Sequence, residues 1–476
     1  MEDVRYAIGA ELLADCPPGL RATDKFIILR WLQKYGRNDS IGRAVDDIAQ
    51  DLKITESKLR RSLQRLLSAG LVGKKTTPSK RGPTKALYEF TGKGTRYSNA
   101  VLMDAKGLKA ACWMLSPSAD DHLSRVEVEV GEGARRGEEK AHCLTEANRL
   151  LLAILLFHAD EFGWVDGVSF AKLAKLTGMK PDQVKAHIRK AASLGYIRSI
   201  IPGVSSKNLI GKVATSYVLN TSLASPRKAS CQIITVILEE PWITNISGKE
   251  SGLVRKICRG IKHGGSTKNL NTIGGQISDF NMAKFEEITW IFDDLKRKEV
   301  AFTFQHKIEL LTSILLSQYW DTINKDGEDA AECLKDYVDR SFSYARSKIL
   351  EREGLLNPEA SADYFCDFIS GLIVVVARRI QRRLEEVGAG EGLSYSEMTH
   401  FVSPSGIFPH KDNGFSTTRC IISINDNASA AMRGLHIWGL FKKENKNSYI
   451  SFTSEDDKGV PYAYQFGIKY HSGRIW

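Results

Sequence analysis

The chain is expected to be mainly α with α+β parts: two modules of three helices and a β-hairpin, then a C-terminal helical bundle with an antiparallel β segment. Three observations lead there. The stretch Val45 to Leu71, VDDIAQDLKITESKLRRSLQRLLSAGL, places apolar residues at helical spacing on both sides of a break at Lys53-Ile54-Thr55. Sliding it by 125 positions lays Val45 on Phe170, Ile48 on Leu173, Leu59 on Val184, Leu63 on Ile188 and Gly70-Leu71 on Gly195-Tyr196 without a gap. Positive charge gathers in the part that holds this repeat: residues 1–230 carry 37 Lys and Arg against 24 Asp and Glu, and residues 231–476 carry 30 against 32.

At 476 residues the chain is too long for a single core. Its 42% hydrophobic and 26% charged content are those of an ordinary globular protein. The longest apolar run, Phe368 to Ala377, is interrupted by Ser370-Gly371 and stops at Arg378-Arg379, which predicts a buried helix rather than a membrane span. The N-terminus, MEDVRYAIGAELLAD, lacks the basic and apolar regions of a secretory signal. The eight cysteines stand singly, which suits reduced, mostly buried thiols in a cytoplasmic protein.

In chain order, residues 1–22 form an N-terminal extension that ends after Pro17-Pro18-Gly19, a helix breaker. The first module covers 23–92. Phe26, Ile27, Leu29, Trp31 and Leu32 fill a broad helical stripe that Gly36 ends; two helices follow from Val45, the second with Thr55 as N-cap. Leu71-Val72 and Ala86 to Phe90 are β-prone runs around a Gly/Pro/Lys-rich tip. Residues 93–143 read as a connector, with a short element between Val101 and Leu115. The second module covers 144–222, with Pro181 suited to the first turn of its third helix.

A C-terminal α+β domain takes 223–476, with a sub-boundary near 390–415. A strand is expected over Ile233 to Leu238, a short basic helix over Leu253 to Ile261, and four helical stripes over 285–295, 308–319, 334–349 and 365–384. Strands follow over Cys420 to Ile424, Leu435 to Phe441, Tyr449 to Phe452 and Tyr464 to Tyr470.

Helix, helix, helix, hairpin is the order of a winged helix-turn-helix domain, whose third helix enters the major groove. With Leu59, Leu63 and Leu66 inward, Ser57, Arg61, Gln64 and Ser68 face outward, flanked by Lys58, Arg60 and Arg65. Arg and Gln can bracket guanine or adenine through paired donors and acceptors, whereas Lys58 and Arg65 suit phosphates. Lys74, Lys75, Lys80, Arg81 and Lys85 make the first hairpin a basic wing. In the second copy Asp182, Gln183, Ala186, Arg189, Lys190 and Ser193 project outward beside Lys185, with Lys207 and Lys212 on the wing. That set is less basic, so the first copy is the expected DNA-contacting one and the second supports, orients or pairs.

The two modules resemble winged helix-turn-helix domains of bacterial transcription regulators, and their tandem layout is similar to that of plasmid replication initiators. The resemblance rests on element order, hydrophobic spacing and Gly70 and Gly195 before the hairpins, and it implies a double-stranded DNA partner. No phosphate loop, dinucleotide fingerprint, HExxH or GxSxG is present. His400 and His410 flank a Ser/Pro/Gly loop that also holds Asp412, and His436 lies in a candidate strand; a metal site from these is conceivable but not the expected reading, and no cofactor is expected. Arg378, Arg379, Arg382 and Arg383 read as cations near a helix C-terminus. The expected function is sequence-specific DNA binding by a homo-oligomeric (dimeric) transcription regulator that is not itself an enzyme. Its C-terminal half, residues 231–476, would serve oligomerisation, a protein partner or an effector. An initiator or partition protein at an origin, a DNA-targeted effector with an enzymatic C-terminal half, and a scaffold stay open as alternatives.

Overall fold

The computed structural model describes residues 19–35, 42–77, 85–91, 108–117, 119, 144–160, 162–194, 196–220, 232–240, 277, 280–325, 327–391, 394–402, 406–409, 415–425, 436–440 and 448–452. The expected features at Lys80, Arg81, Leu253 to Ile261, His410, Asp412 and Tyr464 to Tyr470 lie outside these residues. The described chain is mainly α with α+β parts. It divides into two compact units, one within Met1–Ile200 and Ser216–Arg227, the other within Ile201–Thr215 and Lys228–Trp476.

The first unit begins with α1 (Ala22–Tyr35), α2 (Val45–Asp51) and α3 (Glu56–Ser68), followed by the antiparallel hairpin of β1 (Val72–Thr77) and β2 (Lys85–Phe90). Then come α4 (Leu108–Leu115), α5 (Glu146–Phe157), β3 (Trp164–Val165), α6 (Phe170–Thr177), α7 (Pro181–Ser193) and β4 (Ile197–Ile201). β5 (Val204–Ser205) and β6 (Lys212–Val213) pair with each other, and β7 (Ser216–Leu219) lies between β3 and β4. The second copy's β3 has a counterpart in the first, an antiparallel bridge between Arg43 and Tyr88. Neither short strand is expected from the sequence, because two residues are too few to show alternation. Thr55 occupies the N-cap position without a side-chain cap bond, whereas Thr145 and Ser169 accept from the Asn148 and Lys172 amides at 3.3 and 3.2 Å.

α1 is buried along nearly its whole circumference, including Asp24, Lys25 and Arg30, and α5 is buried from Asn148 to Leu156. A helix apolar on all sides must be covered on all sides; the two pack on each other and both pack on α4. The carbonyls at the end of α4, left without intrahelical partners, are met by side chains from both. Arg30 donates from Nε to Leu115 O at 2.6 Å and from Nη2 to Ser116 O at 3.3 Å, and also reaches Leu52 O from Nη1 at 2.6 Å. Arg149 donates from Nε to Met114 O at 2.8 Å and from Nη2 to Ser116 O at 2.8 Å. Gln33 adds a bond to Cys112 O at 2.8 Å.

The second unit holds the far end of the β4–β7 hairpin in a helical bundle. Val204, Leu209 and Ile210 belong to the same core as Phe285, Phe292 and Phe304. Asp294 accepts from Ser206 Oγ at 2.6 Å and Asn208 N at 2.7 Å. Burial alone would raise this carboxyl, but those hydrogen bonds outweigh it and hold it below the usual range. Tyr344 donates to Lys207 O at 2.9 Å, and its ring covers Gly211, whose φ of +72° and lack of a Cβ allow the approach.

The bundle comprises α8 (Met282–Ile288), a 3₁₀ segment (Thr289–Lys296), α9 (Lys298–Gln318), α10 (Trp320–Lys325), α11 (Gly327–Ser341), α12 (Ser343–Leu350) and α13 (Pro358–Glu391). The stripe expected as one helix over 334–349 is two, broken at Phe342, whose buried ring packs edge-on against Phe304 and Phe365. In α13 the stretch Pro358–Glu386 is long and apolar enough to cross a membrane by length and composition, and 78% of its apolar window is buried inside the protein. The expected helix-end role of Arg378, Arg379, Arg382 and Arg383 is corrected: α13 runs on to Glu391, beyond the last-turn reach of the dipole. Arg378 instead donates to Ile323 O at 2.8 Å, and Arg383 pairs with Glu386 at 2.6 Å.

β8 (Gln232–Glu240) is central to a sheet ordered β10 (Gly406–Pro409), β11 (Phe415–Asn425), β8, β12 (His436–Leu440), β13 (Ser448–Phe452), with β9 (Thr399–Val402) also on β11. Pairing is antiparallel except for the parallel β8–β12 pair, which departs from the all-antiparallel expectation. His400 on β9 is buried, with Nδ1 2.8 Å from Ser423 Oγ and Nε2 2.9 Å from Tyr395 O, and it stacks on Trp320. Burial lowers its pKa to about 4, so it is neutral, and both ring nitrogens already have partners within the fold.

Candidate nucleic-acid interface

α3 amasses its apolar side on Leu59, Leu63 and Leu66, which are buried, and so turns the opposite side to solvent. Ser57, Lys58, Arg60, Arg61, Gln64 and Ser68 are exposed, and Arg65 is half-buried. The basic residues among them do not stand alike. Lys58 pairs with Glu146 at the start of α5, 2.6 Å away. Burial alone would raise the Glu146 carboxyl, yet the Lys58 ammonium holds it below the usual range. Arg60 pairs with Glu56 one turn back, a solvent-screened contact of small energy. Among the described residues Arg61 donates only to its own helix, from Nε to Ser57 O at 3.1 Å, and its side chain is exposed.

Arg65 is engaged by Asp24 of α1, which is fully buried. Nε and Nη2 each donate to the carboxylate at 2.7 Å, and Ser62 Oγ donates to it at 2.5 Å. The expectation that Arg65 is a free phosphate contact is therefore revised: a bidentate partner already occupies its fork. On the hairpin, Lys74 is exposed and Lys75 pairs with Glu89 at 2.5 Å. Lys80 and Arg81 lie outside the described residues, and Lys85 is placed only as the backbone partner of Thr77.

α7 starts with Pro181, and Gln183 Oε1 accepts from Lys180 N at 3.0 Å, so this glutamine caps its own helix. Lys185 lies 3.9 Å from the exposed Asp182 and over the ring of Phe170. Arg189 is exposed and Lys190 half-buried. Lys207 and Lys212 have exposed side chains, but the hairpin bearing them is fastened into the helical bundle by Asp294, Tyr344 and its own apolar residues. The sequence predicts a wing here, yet Val204, Leu209 and Ile210 are buried and too apolar for an exposed tip. Asp24, Glu146, Arg30 and Arg149 are not singled out by hydrophobic spacing. The available signal is an arginine inside each otherwise apolar run, FIILRWL and NRLLLAILL.

Three helices with the third turned outward behind a tight turn form the arrangement of helix-turn-helix proteins. Residues 141–197 match the family model of the helix-turn-helix domain, a span that holds α5, β3, α6, α7 and the start of β4. No curated protein and no solved structure matches the chain.

Proposed function

We propose that the chain is a sequence-specific double-stranded DNA-binding protein acting as a transcription regulator, with two winged helix-turn-helix modules. The helix-turn-helix match over residues 141–197 carries this reading, and the basic charge of residues 1–230 supports it. Arg61 and Gln64 are the base-contacting side chains of the first module, since both are exposed at the centre of its third helix. Lys74 and its neighbours on the first hairpin supply backbone contacts. In the second module Arg189 and Lys190 contribute secondary contacts. The C-terminal unit serves self-association, a protein partner or an effector and is non-catalytic in this reading. Selection of bound sequences from a random duplex pool tests it. A defined motif should emerge and be relaxed by Arg61→Ala or Gln64→Ala, each costing about 1–3 kcal/mol at one position. Sequence-blind binding, or none, would overturn it.

A further inference from the structure

One stripe of α3 is paired within the chain. Lys58, Ser62 and Arg65 lie three or four residues apart, hence on one side of the helix, and each is bound to a carboxylate on another helix. Lys58 meets Glu146 of α5 at 2.6 Å, while Ser62 and Arg65 share Asp24 of α1 through three bonds of 2.5–2.7 Å. Asp24 is itself fixed by the Arg21 amide at 3.0 Å. The two supporting helices are joined through α4, whose end they both bind. The third helix is thus held along two turns by a seam perpendicular to its outward residues.

We infer that Asp24 and Glu146 are positioning residues for DNA recognition: through Arg65, Ser62 and Lys58 they set the angle at which Ser57, Arg61, Gln64 and Ser68 meet the duplex. This rests on the function proposed above. A bidentate base contact tolerates only a few tenths of an ångström and narrow angles. A helix free to roll on leucines alone would retain charge attraction but blur discrimination. In the same arrangement Lys58 and Arg65 are consumed by the seam and do not neutralise phosphates.

The test uses the full chain, its selected duplex and a scrambled duplex, over a salt series at a temperature where circular dichroism shows each variant folded. Glu146→Gln and Asp24→Asn should each reduce the preference for the selected duplex by roughly fivefold or more, while binding to the scrambled duplex persists. Lys58→Met and Arg65→Met should leave the slope of affinity against salt unchanged, since removing a phosphate contact would lower it by about 0.9. Preference kept within about twofold in folded Glu146→Gln, or a slope reduced by that amount in either Met variant, overturns the inference. Should Asp24→Asn fail to fold, Glu146→Gln at its half-exposed site decides alone. A wild-type chain without preference would instead overturn the proposed function, and this inference with it.

Discussion

Lys53 and Gly178 occupy the same place in the two modules, the left-handed residue of the turn before the third helix, with φ of +49° and +74°. Their surroundings differ. Lys53 is exposed, whereas the turn at Gly178 lies under the start of α1: Leu20's carbonyl oxygen sits where a Cβ would be. Lys25 donates there to Lys175 O at 3.1 Å and Leu176 O at 2.7 Å, satisfying the last carbonyls of α6. A lysine is tolerated in the open turn at the cost of local strain, and only glycine fits the covered one. The same local pattern thus acquires different residue requirements from what packs over it.

The largest effect should come from Gly178→Ala, which meets both the backbone penalty and the Leu20 carbonyl. A loss of roughly 3 kcal/mol or more is expected in denaturant unfolding, against a small effect for Lys53→Ala. Arg30→Met and Arg149→Met should each cost about 3 kcal/mol by leaving buried carbonyls unpaired. Because both arginines bind Ser116 O, the double variant should cost less than the sum of the two.

Acid acts on the second unit through His400. His400 has a folded pKa of about 4 against an ordinary 6.5, so the unfolded chain binds more protons between these values. Stability of the second unit is full above pH 6.5 and falls as pH drops toward 4, by on the order of 3 kcal/mol for this group. Thermal stability across that window should depend less steeply on pH in His400→Gln, with the buried His306 accounting for part of what remains. Lys53→Gly should gain about 0.5–1 kcal/mol by relieving the left-handed lysine, less than the strain itself because glycine is freer when unfolded. Smallest is the Lys58–Glu146 pair. Its depressed carboxyl pKa makes its contribution present above the ordinary range and lost as pH falls below it, visible as a difference between wild type and Glu146→Gln that closes in acid.

The third helices, their inward apolar residues and the outward Ser57, Arg61, Gln64 and Ser68 are legible in the sequence because spacing of 3.6 residues is a local property. The strand pair β8–β11 is not, since its partners, from Glu240 with Thr417 to Gln232 with Asn425, are far apart in the chain, and neither is the parallel β12 beside it. The hairpin tip over residues 201–215 illustrates the limit: its strands are readable, its packing within the second unit is not.

Sequence alone determined the fold class, the repeat, the buried character of Phe368 to Ala377 and the face each third helix turns outward. Only tertiary structure decided which charges are paired within the chain. Lys58 and Arg65 look like Arg61 in one dimension, but Glu146 and Asp24 come from helices 88 and 41 residues away to claim them. An ion pair forms where folding brings two groups within a few ångströms, and no local periodicity encodes that distance.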